Sequence, residues 1–212
     1  IFKIQNVQVN PDSSLPYKDV VMESVTVDEY NGEDIHWYID EYESFDPEEI
    51  KQASGRENVD IKNFTAPKEG ETIVSMKLKG YDQEVKIKLF PEYTEKGVEN
   101  FTTLAEQGYY DGLTFHRVMK DMLIEGGDPN GDGTGGESIF DKGYEDTTDP
   151  HLIHAAGAVA YSNEGSTNTN GSRFFIVTGE KLTQEEAEQL ESYGYAFTDK
   201  GAVRHITVNH HG

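Results

Sequence analysis

The sequence predicts a mainly β protein, a barrel or a sandwich with only a few helices. Short apolar runs recur along the 212 residues and are separated by glycine-rich turns. Two of the runs, 72–80 and 83–90, alternate apolar and polar side chains with the period of two that is typical of a half-buried strand. The chain contains 10 Phe and 12 Tyr, which supply enough apolar surface for a substantial core.

The first 70 residues carry weaker signals. Residues 1–30 read as extended segments interrupted by the turn sequence "NPDSSLP". Residues 31–70 are polar and acidic and predict one short helix. Asp46 is its N-cap, Glu49 completes a capping box and Gly55 ends it.

The pattern sharpens after residue 70. The two alternating runs are joined by "GYD" at 80–82, which favours a β-hairpin. The stretch 94–108 predicts a helix that ends at Gly108. Its apolar positions recur at helical spacing. They are Val98, Phe101, Leu104 and Ala105.

Four further strands and one helix are predicted in the second half of the chain. The strands are "LTFHRV", "DMLIEGG", "AGAVAYS" and "RFFIVTG". The helix covers 183–193, where Thr183 and Glu186 form a capping box.

The glycine-rich stretch "DPNGDGTGGE", which starts at Asp128, is similar to the beginning of an EF-hand loop. Its first, third, fifth and sixth positions match that pattern. Position 12, however, is Ile139, which has no oxygen to offer, and the preceding residues predict a strand instead of a helix. The sequence therefore favours a long turn in which glycines adopt positive φ, with calcium binding as the alternative.

Composition excludes several classes of function. A net charge of -22 argues against nucleic acid and anionic membranes as partners. The absence of cysteine excludes disulfides, thiolate metal sites and cysteine nucleophiles. No apolar run approaches the roughly 18 residues of a transmembrane helix. The sequence predicts neither a metal nor a cofactor, and its acidity and lack of cysteine favour an exported bacterial protein, with the cytoplasm left open.

Three stretches resemble the cyclophilin-type peptidyl-prolyl cis-trans isomerases. They are "VKIKLFPEYTEKGVENFTTLAEQGYYDG", "YYDGLTFHRVMKDMLIEGGDPNGDGTGGESIF" and "NTNGSRFFIVTG". Together they extend the resemblance over roughly residues 71–182. It implies a closed antiparallel β-barrel with two or so capping helices. It also implies isomerisation of X-Pro bonds in peptides or unfolded proteins, as an aid to folding.

The resemblance also assigns site residues. It makes Arg117 the catalytic arginine, although an arginine in a strand is most often a solvated edge charge. The chain has only four arginines, and two of them fall in the matching motifs. The resemblance makes Phe115 a support for Arg117 on the same strand face. It places four residues in a proline pocket, namely Met122, Leu123, Phe175 and His205. It makes Ser162 and Asn163 partners that hydrogen-bond the substrate through their backbone.

Three positions depart from the family. Met122 stands where phenylalanine is usual, and both Glu125 and Arg173 stand where glutamine is usual. We expect Glu125 to pair with Arg117, Arg173 or both. These departures leave open an alternative function, a proline-peptide binding module with weak or no catalysis. The only tryptophan, Trp37, lies outside every matching motif, which argues against the cyclosporin-type ligand that the family implies.

The chain also departs from the family at its ends. Residues 1–30 resemble the family's C-terminal portion, which comprises the end of the last helix, a polar loop and the closing strand. The resemblance predicts that the order of the family's segments is permuted in this chain. Residues 1–30 would be the segment that closes the barrel, residues 31–70 an acidic insert, and residues 71–212 the core of the barrel. An unrelated appendage and exchange of the segment between two chains are the alternatives.

Overall fold

Two antiparallel sheets make up most of the regular structure in the computed structural model, which describes residues 2–33, 59–63, 65–154, 156–163 and 167–178. The first sheet has the strand order β1 (Met22–Glu29), β2 (Thr72–Leu78), β3 (Val85–Lys88). The second has the order β4 (Phe115–Met119), β5 (Leu123–Gly126), β7 (Phe174–Val177), β6 (Val159–Tyr161). Within these described residues, two helices accompany them, α1 (Phe2–Gln5) and α2 (Glu95–Glu106).

The prediction of a mainly β fold with few helices is confirmed. The predicted hairpin forms between β2 and β3, with Gly80 at a φ of +83° in the connecting turn. Within the described residues, neither sheet closes on itself into a barrel. The predicted helices at 46–55 and 183–193 lie outside the described residues. None of the helices among the described residues is long and apolar enough to span a membrane.

Helix α2 packs through the side chains that its spacing predicts. Phe101, Leu104 and Ala105 are buried, and Val98 is partly buried. The same face also buries Asn100 completely, which the apolar pattern does not reveal. The Asn100 amide donates to the Gly171 carbonyl at 2.9 Å and to the Tyr161 hydroxyl at 3.0 Å, and its oxygen accepts the Ile139 N–H at 2.9 Å. This buried amide therefore ties α2 to the segments that flank the second sheet.

In the part of the chain that the structure describes, the core is one cluster centred on aromatic rings. Phe174 of β7 lies 5.4 to 6.1 Å, between ring centroids, from Phe101, Tyr110 and Phe115. The first 30 residues add to the same cluster four side chains that are at most 3 % exposed. They are Ile4, Val20, Met22 and Val25.

The N-terminal segment connects the two sheets. Strand β1 pairs along β2, with Val25 opposite Met76. Just before it, the Phe115 N–H donates to the Val20 carbonyl at 2.9 Å, and an isolated bridge pairs Val21 with Thr114. Phe2–Gln5 is helical, where the local pattern predicts extended chain and the resemblance predicts the end of a helix, and its one turn buries Ile4. Residues 202–212, the expected neighbours of this segment, lie outside the described residues.

Candidate active site

The second sheet carries the candidate site on the face that points away from the core. Arg117 of β4 is opposite Glu125 of β5, and Glu125 is opposite Phe175 of β7. Directly opposed residues share a face of the sheet, so these three side chains form one cross-strand row. Leu123 is two residues from Glu125 on β5 and therefore lies on the same face.

A β-bulge in β4 separates Arg117 from Phe115. The register shifts between these residues, so that His116 is an extra residue relative to β5. As a result, Phe115 is 1 % exposed and packs in the core, whereas the Arg117 side chain is 47 % exposed. The expectation that Phe115 supports Arg117 from the same strand face is corrected, because simple alternation does not hold across a bulge.

The Glu125 carboxylate is the centre of the polar contacts. Its Oε2 lies 3.4 Å from Nη1 of Arg117, and its Oε1 accepts the Ser162 hydroxyl at 2.7 Å. Oε1 is also 3.9 Å from Nη1 of Arg173 and 3.7 Å from Nε2 of His116. The expectation that Glu125 pairs with Arg117, Arg173 or both is confirmed, and it pairs with both.

These contacts determine the charge of Glu125. Burial raises the pKa of its carboxyl, but His116, the Ser162 hydroxyl and the Arg117 charge lower it by more, and the pKa falls to about 2. A carboxylate with this pKa is ionised at neutral pH. It therefore compensates the positive charge of Arg173, whose side chain is 10 % exposed.

His116 fills the space beneath the carboxylate. The residue is 6 % exposed, and neither ring nitrogen has a hydrogen-bond partner within the part of the chain that the structure describes. A Cβ added at Gly133 would lie 3.8 Å from His116 Nε2 and 3.9 Å from Arg173 Nη1. The glycine-rich loop thus covers both side chains.

That loop is organised by Asp128, which is 1 % exposed. The two oxygens of its carboxylate accept four backbone N–H groups of the loop, those of Asn130, Asp132, Gly133 and Gly135. A side chain at Gly135 would collide with this carboxylate, and Gly133 has a φ of +86°. The loop follows the favoured prediction, in which glycines allow a tight backbone path. Among the described residues, no group of three or more His, Asp or Glu side chains lies where it could hold a metal ion.

An open cleft of about 440 Å³ lies above this network. Arg117 lines it with about half of its side chain exposed, so the guanidinium can reach a bound molecule. The N-terminal segment contributes a wall that the motifs do not predict. The lining residues are Ser13, Leu15, His116, Arg117, Glu125, Gly131, Asp132, Gly133, Ser162, Asn163 and Arg173.

Comparison with known proteins identifies the family. Residues 51–202 match the family model described as "Cyclophilin type peptidyl-prolyl cis-trans isomerase/CLD". The chain belongs to this family. This match confirms the resemblance that the sequence motifs indicate.

Two curated proteins and one solved structure are similar to this cyclophilin. A Staphylococcus aureus protein named for peptidyl-prolyl cis-trans isomerase activity is 42 % identical over 133 residues, which cover 60 % of this chain and 67 % of that protein. A Streptococcus pyogenes protein named as a bifunctional phosphatase and peptidyl-prolyl cis-trans isomerase is 37 % identical over 158 residues. That match covers 72 % of this chain and about a third, 32 %, of the streptococcal protein.

The solved structure is a cyclophilin-type isomerase of Cryptosporidium parvum. It is 33 % identical to this cyclophilin and superposes with a TM-score of 0.44. The match covers 57 % of this chain and 68 % of the Cryptosporidium chain.

The remaining predicted site residues lie in different places in this cyclophilin. Ser162 donates its backbone N–H to the Arg173 carbonyl at 3.0 Å, so this group is not offered to a substrate, and Ser162 acts through its hydroxyl on Glu125. Asn163 lines the cleft. Met122 and Leu123 are partly buried at the start of β5, and His205 lies outside the described residues, as does Trp37.

Sequence reasoning missed two groups that shape this cyclophilin's site. The sequence favours a glycine-rich turn over a calcium loop at 128–137 but assigns Asp128 no role, because no local pattern shows that its carboxylate accepts four backbone N–H groups of that turn. Ser13 and Leu15 come from a segment more than a hundred residues from Arg117, and no local pattern predicts that contact.

Proposed function

We propose that this cyclophilin catalyses cis–trans isomerisation of X-Pro bonds in peptides or unfolded proteins and so assists folding. Family membership supports the reaction class. The single observation that carries the proposal is the position of Arg117, half exposed at the edge of an open cleft and held at its base by a buried carboxylate.

The chemistry needs a positioned hydrogen-bond donor more than a nucleophile. The barrier to rotation, about 18–20 kcal/mol, comes from the partial double-bond character of the amide. As the bond twists, the proline nitrogen becomes pyramidal and its lone pair localises. A guanidinium donor that faces this nitrogen or the adjacent carbonyl binds the twisted amide more strongly than the planar one, which lowers the barrier.

Glu125 gives Arg117 its orientation in this proposal. An ionised carboxylate 3.4 Å from Nη1 holds one side of the guanidinium fork through a charge-assisted contact. The other N–H groups of the fork remain for the substrate, consistent with the 47 % exposure of the side chain. We infer that Glu125 is a positioning residue for Arg117.

The proline ring would occupy the apolar part of the same sheet face. Leu123 and Phe175 are partly exposed on that face, and Met122, also partly exposed, immediately precedes Leu123 in the chain. Met122 adapts its shape more readily than phenylalanine, so we expect a less rigid grip on the ring. Asn163, at the cleft, is the proposed backbone partner of an extended peptide.

We further propose that the two sheets belong to one closed barrel and that residues 1–30 supply its closing strand in the same chain. The bridge from Val21 to Thr114 supports the connection on one side. The burial of Ile4, Val20 and Met22 in the shared core supports it as well.

The alternative function is a proline-peptide binding module with weak or no catalysis. The contact between Arg117 and Glu125 favours it to the extent that the carboxylate draws the guanidinium away from a substrate. Exchange NMR on an Ala-Pro peptide separates the two functions. An isomerase broadens the cis and trans proline signals at catalytic protein concentrations, whereas a binding module shifts them without accelerating exchange. The second result would overturn the proposed enzyme.

A further inference from the structure

The N-terminal segment contributes one apolar side chain, Leu15, to the wall of an otherwise polar cleft. Most of the lining consists of polar or charged residues and glycines. Leu15 is apolar and 46 % exposed, and among the described residues only Tyr17 is another large apolar side chain with comparable exposure. An apolar side chain that borders a substrate cleft gains free energy when a ligand removes it from water.

The loop that presents Leu15 is internally braced. The Asn10 N–H donates to the Leu15 carbonyl at 2.9 Å, and the Ser14 N–H donates to the Asn10 carbonyl at 2.8 Å. The Asn10 side chain accepts the Asp12 N–H at 2.8 Å, and Ser14 adopts a φ of +59°. These contacts fix the backbone on both sides of Leu15.

The same segment is also attached to the hairpin that carries Arg117. The Val118 N–H, next to Arg117 on β4, donates to the Ser14 carbonyl at 2.9 Å. The Asp121 N–H, in the turn that follows β4, donates to Oε1 of the buried Gln5 at 3.4 Å. Leu15 therefore has a fixed position relative to Arg117.

We propose that Leu15 forms an apolar subsite for a substrate side chain next to the isomerised proline and makes this cyclophilin prefer clients with Leu, Phe or a similar residue beside the X-Pro bond. The inference rests on the proposed isomerase function. A leucine offers only apolar contact, so it stabilises an apolar substrate side chain by burial and gives a polar side chain no hydrogen bond of its own. Leu15 is thus a specificity-determining residue contributed by the N-terminal segment.

The test compares kcat and KM for two tetrapeptides that differ only in one residue flanking the proline, Leu in one and Ser in the other, with the pair repeated for each flanking position. At one of the two positions that flank the proline, Leu15→Ala should raise the KM of the Leu peptide roughly three- to tenfold. The KM of the matching Ser peptide should be nearly unchanged. The value of kcat should change little, because the contact is present before and during rotation. Leu15→Met, which keeps the apolar volume, should restore the preference.

The matched control is Tyr17→Ala, since Tyr17 is 69 % exposed on the same loop and is not among the described residues that line the cleft. It should preserve the ratio between the two peptides. Equal losses for both peptides, or the same change in the control, would overturn the subsite and leave the isomerase proposal intact. If the wild-type protein isomerises neither peptide, the proposed function fails, and the subsite fails with it.

Discussion

At the scale of single residues, one buried carboxylate faces two positively charged side chains. Glu125 is 4 % exposed and faces both Arg117 and Arg173. Arg173 also donates a hydrogen bond to the Gly133 carbonyl, so both Glu125 and the glycine-rich loop hold its side chain in place. Two residues that replace glutamines of the family thus compensate each other, and their effects on stability should be coupled.

The double-mutant cycle of Glu125→Gln and Arg173→Gln measures this coupling. Glu125→Gln alone should lower the free energy of unfolding by about 1–3 kcal/mol, because it removes a negative charge that faces the Arg173 cation, whose side chain is only 10 % exposed. The double variant should lose less than the sum of the two single variants in urea denaturation. Strictly additive losses would show that the pairing contributes nothing.

The depressed pKa of Glu125 also predicts how stability depends on pH. The carboxyl has a pKa of about 2 in the folded protein against an ordinary value of 4.5, so its contribution is present above about pH 4.5 and is lost as the pH falls towards 2. That contribution amounts to about 3 kcal/mol at most. Urea denaturation at pH 5 and pH 3 should show a smaller loss in Glu125→Gln than in the wild type. Identical losses would contradict the ionised carboxylate.

At the scale of elements, the glycine-rich loop depends on Asp128. Replacing it with alanine removes the acceptor of four backbone N–H groups, and Asp128→Ala should cost about 2–3 kcal/mol of unfolding free energy. Isomerase activity should fall as well, because the same loop covers His116 and holds Arg173. Glu137→Gln, an exposed carboxylate in the same loop, is the matched control for both measurements. Equal stability of the two variants would contradict the role of Asp128.

The elements themselves were largely predictable because strands and helices leave periodic patterns. The hairpin of β2 and β3 and the buried face of α2 follow from spacing alone. The bulge in β4 does not, since an extra residue is defined only by the strand opposite, and its consequence is the core position of Phe115. The row formed by Arg117, Glu125 and Phe175 likewise depends on register, although the family motifs indicate its members.

At the scale of the whole molecule, the N-terminal segment is part of the core. Met22 is fully buried in the same cluster as Ile124 of the second sheet. Met22→Ala should therefore cost about 2–5 kcal/mol of unfolding free energy, in the range expected for Ile124→Ala. Thermal or urea unfolding should remain a single transition in both variants. A negligible loss in Met22→Ala would indicate that residues 1–30 are an appendage.

The placement of that segment could not be derived from local patterns. Its one strong strand signal indicates a β-strand but not its partner, and only the tertiary structure joins Val20 and Val21 to the start of β4. The contribution of Leu15 to the cleft follows from the same long-range contact. Sequence reasoning therefore indicates Arg117 as the proposed catalytic residue and misses Leu15 in the wall of the same cleft.

The most direct test of the account is the isomerisation rate of an Ala-Pro peptide with Arg117→Ala. If the guanidinium binds the twisted amide, kcat/KM should fall roughly a hundredfold to a thousandfold, whereas thermal stability should change little because the Arg117 side chain is half exposed. Lys77→Ala, which removes an exposed cation from the other sheet, should retain the wild-type rate. If Arg117→Ala isomerises the peptide with the same kcat/KM as the wild-type protein, the proposed mechanism is wrong.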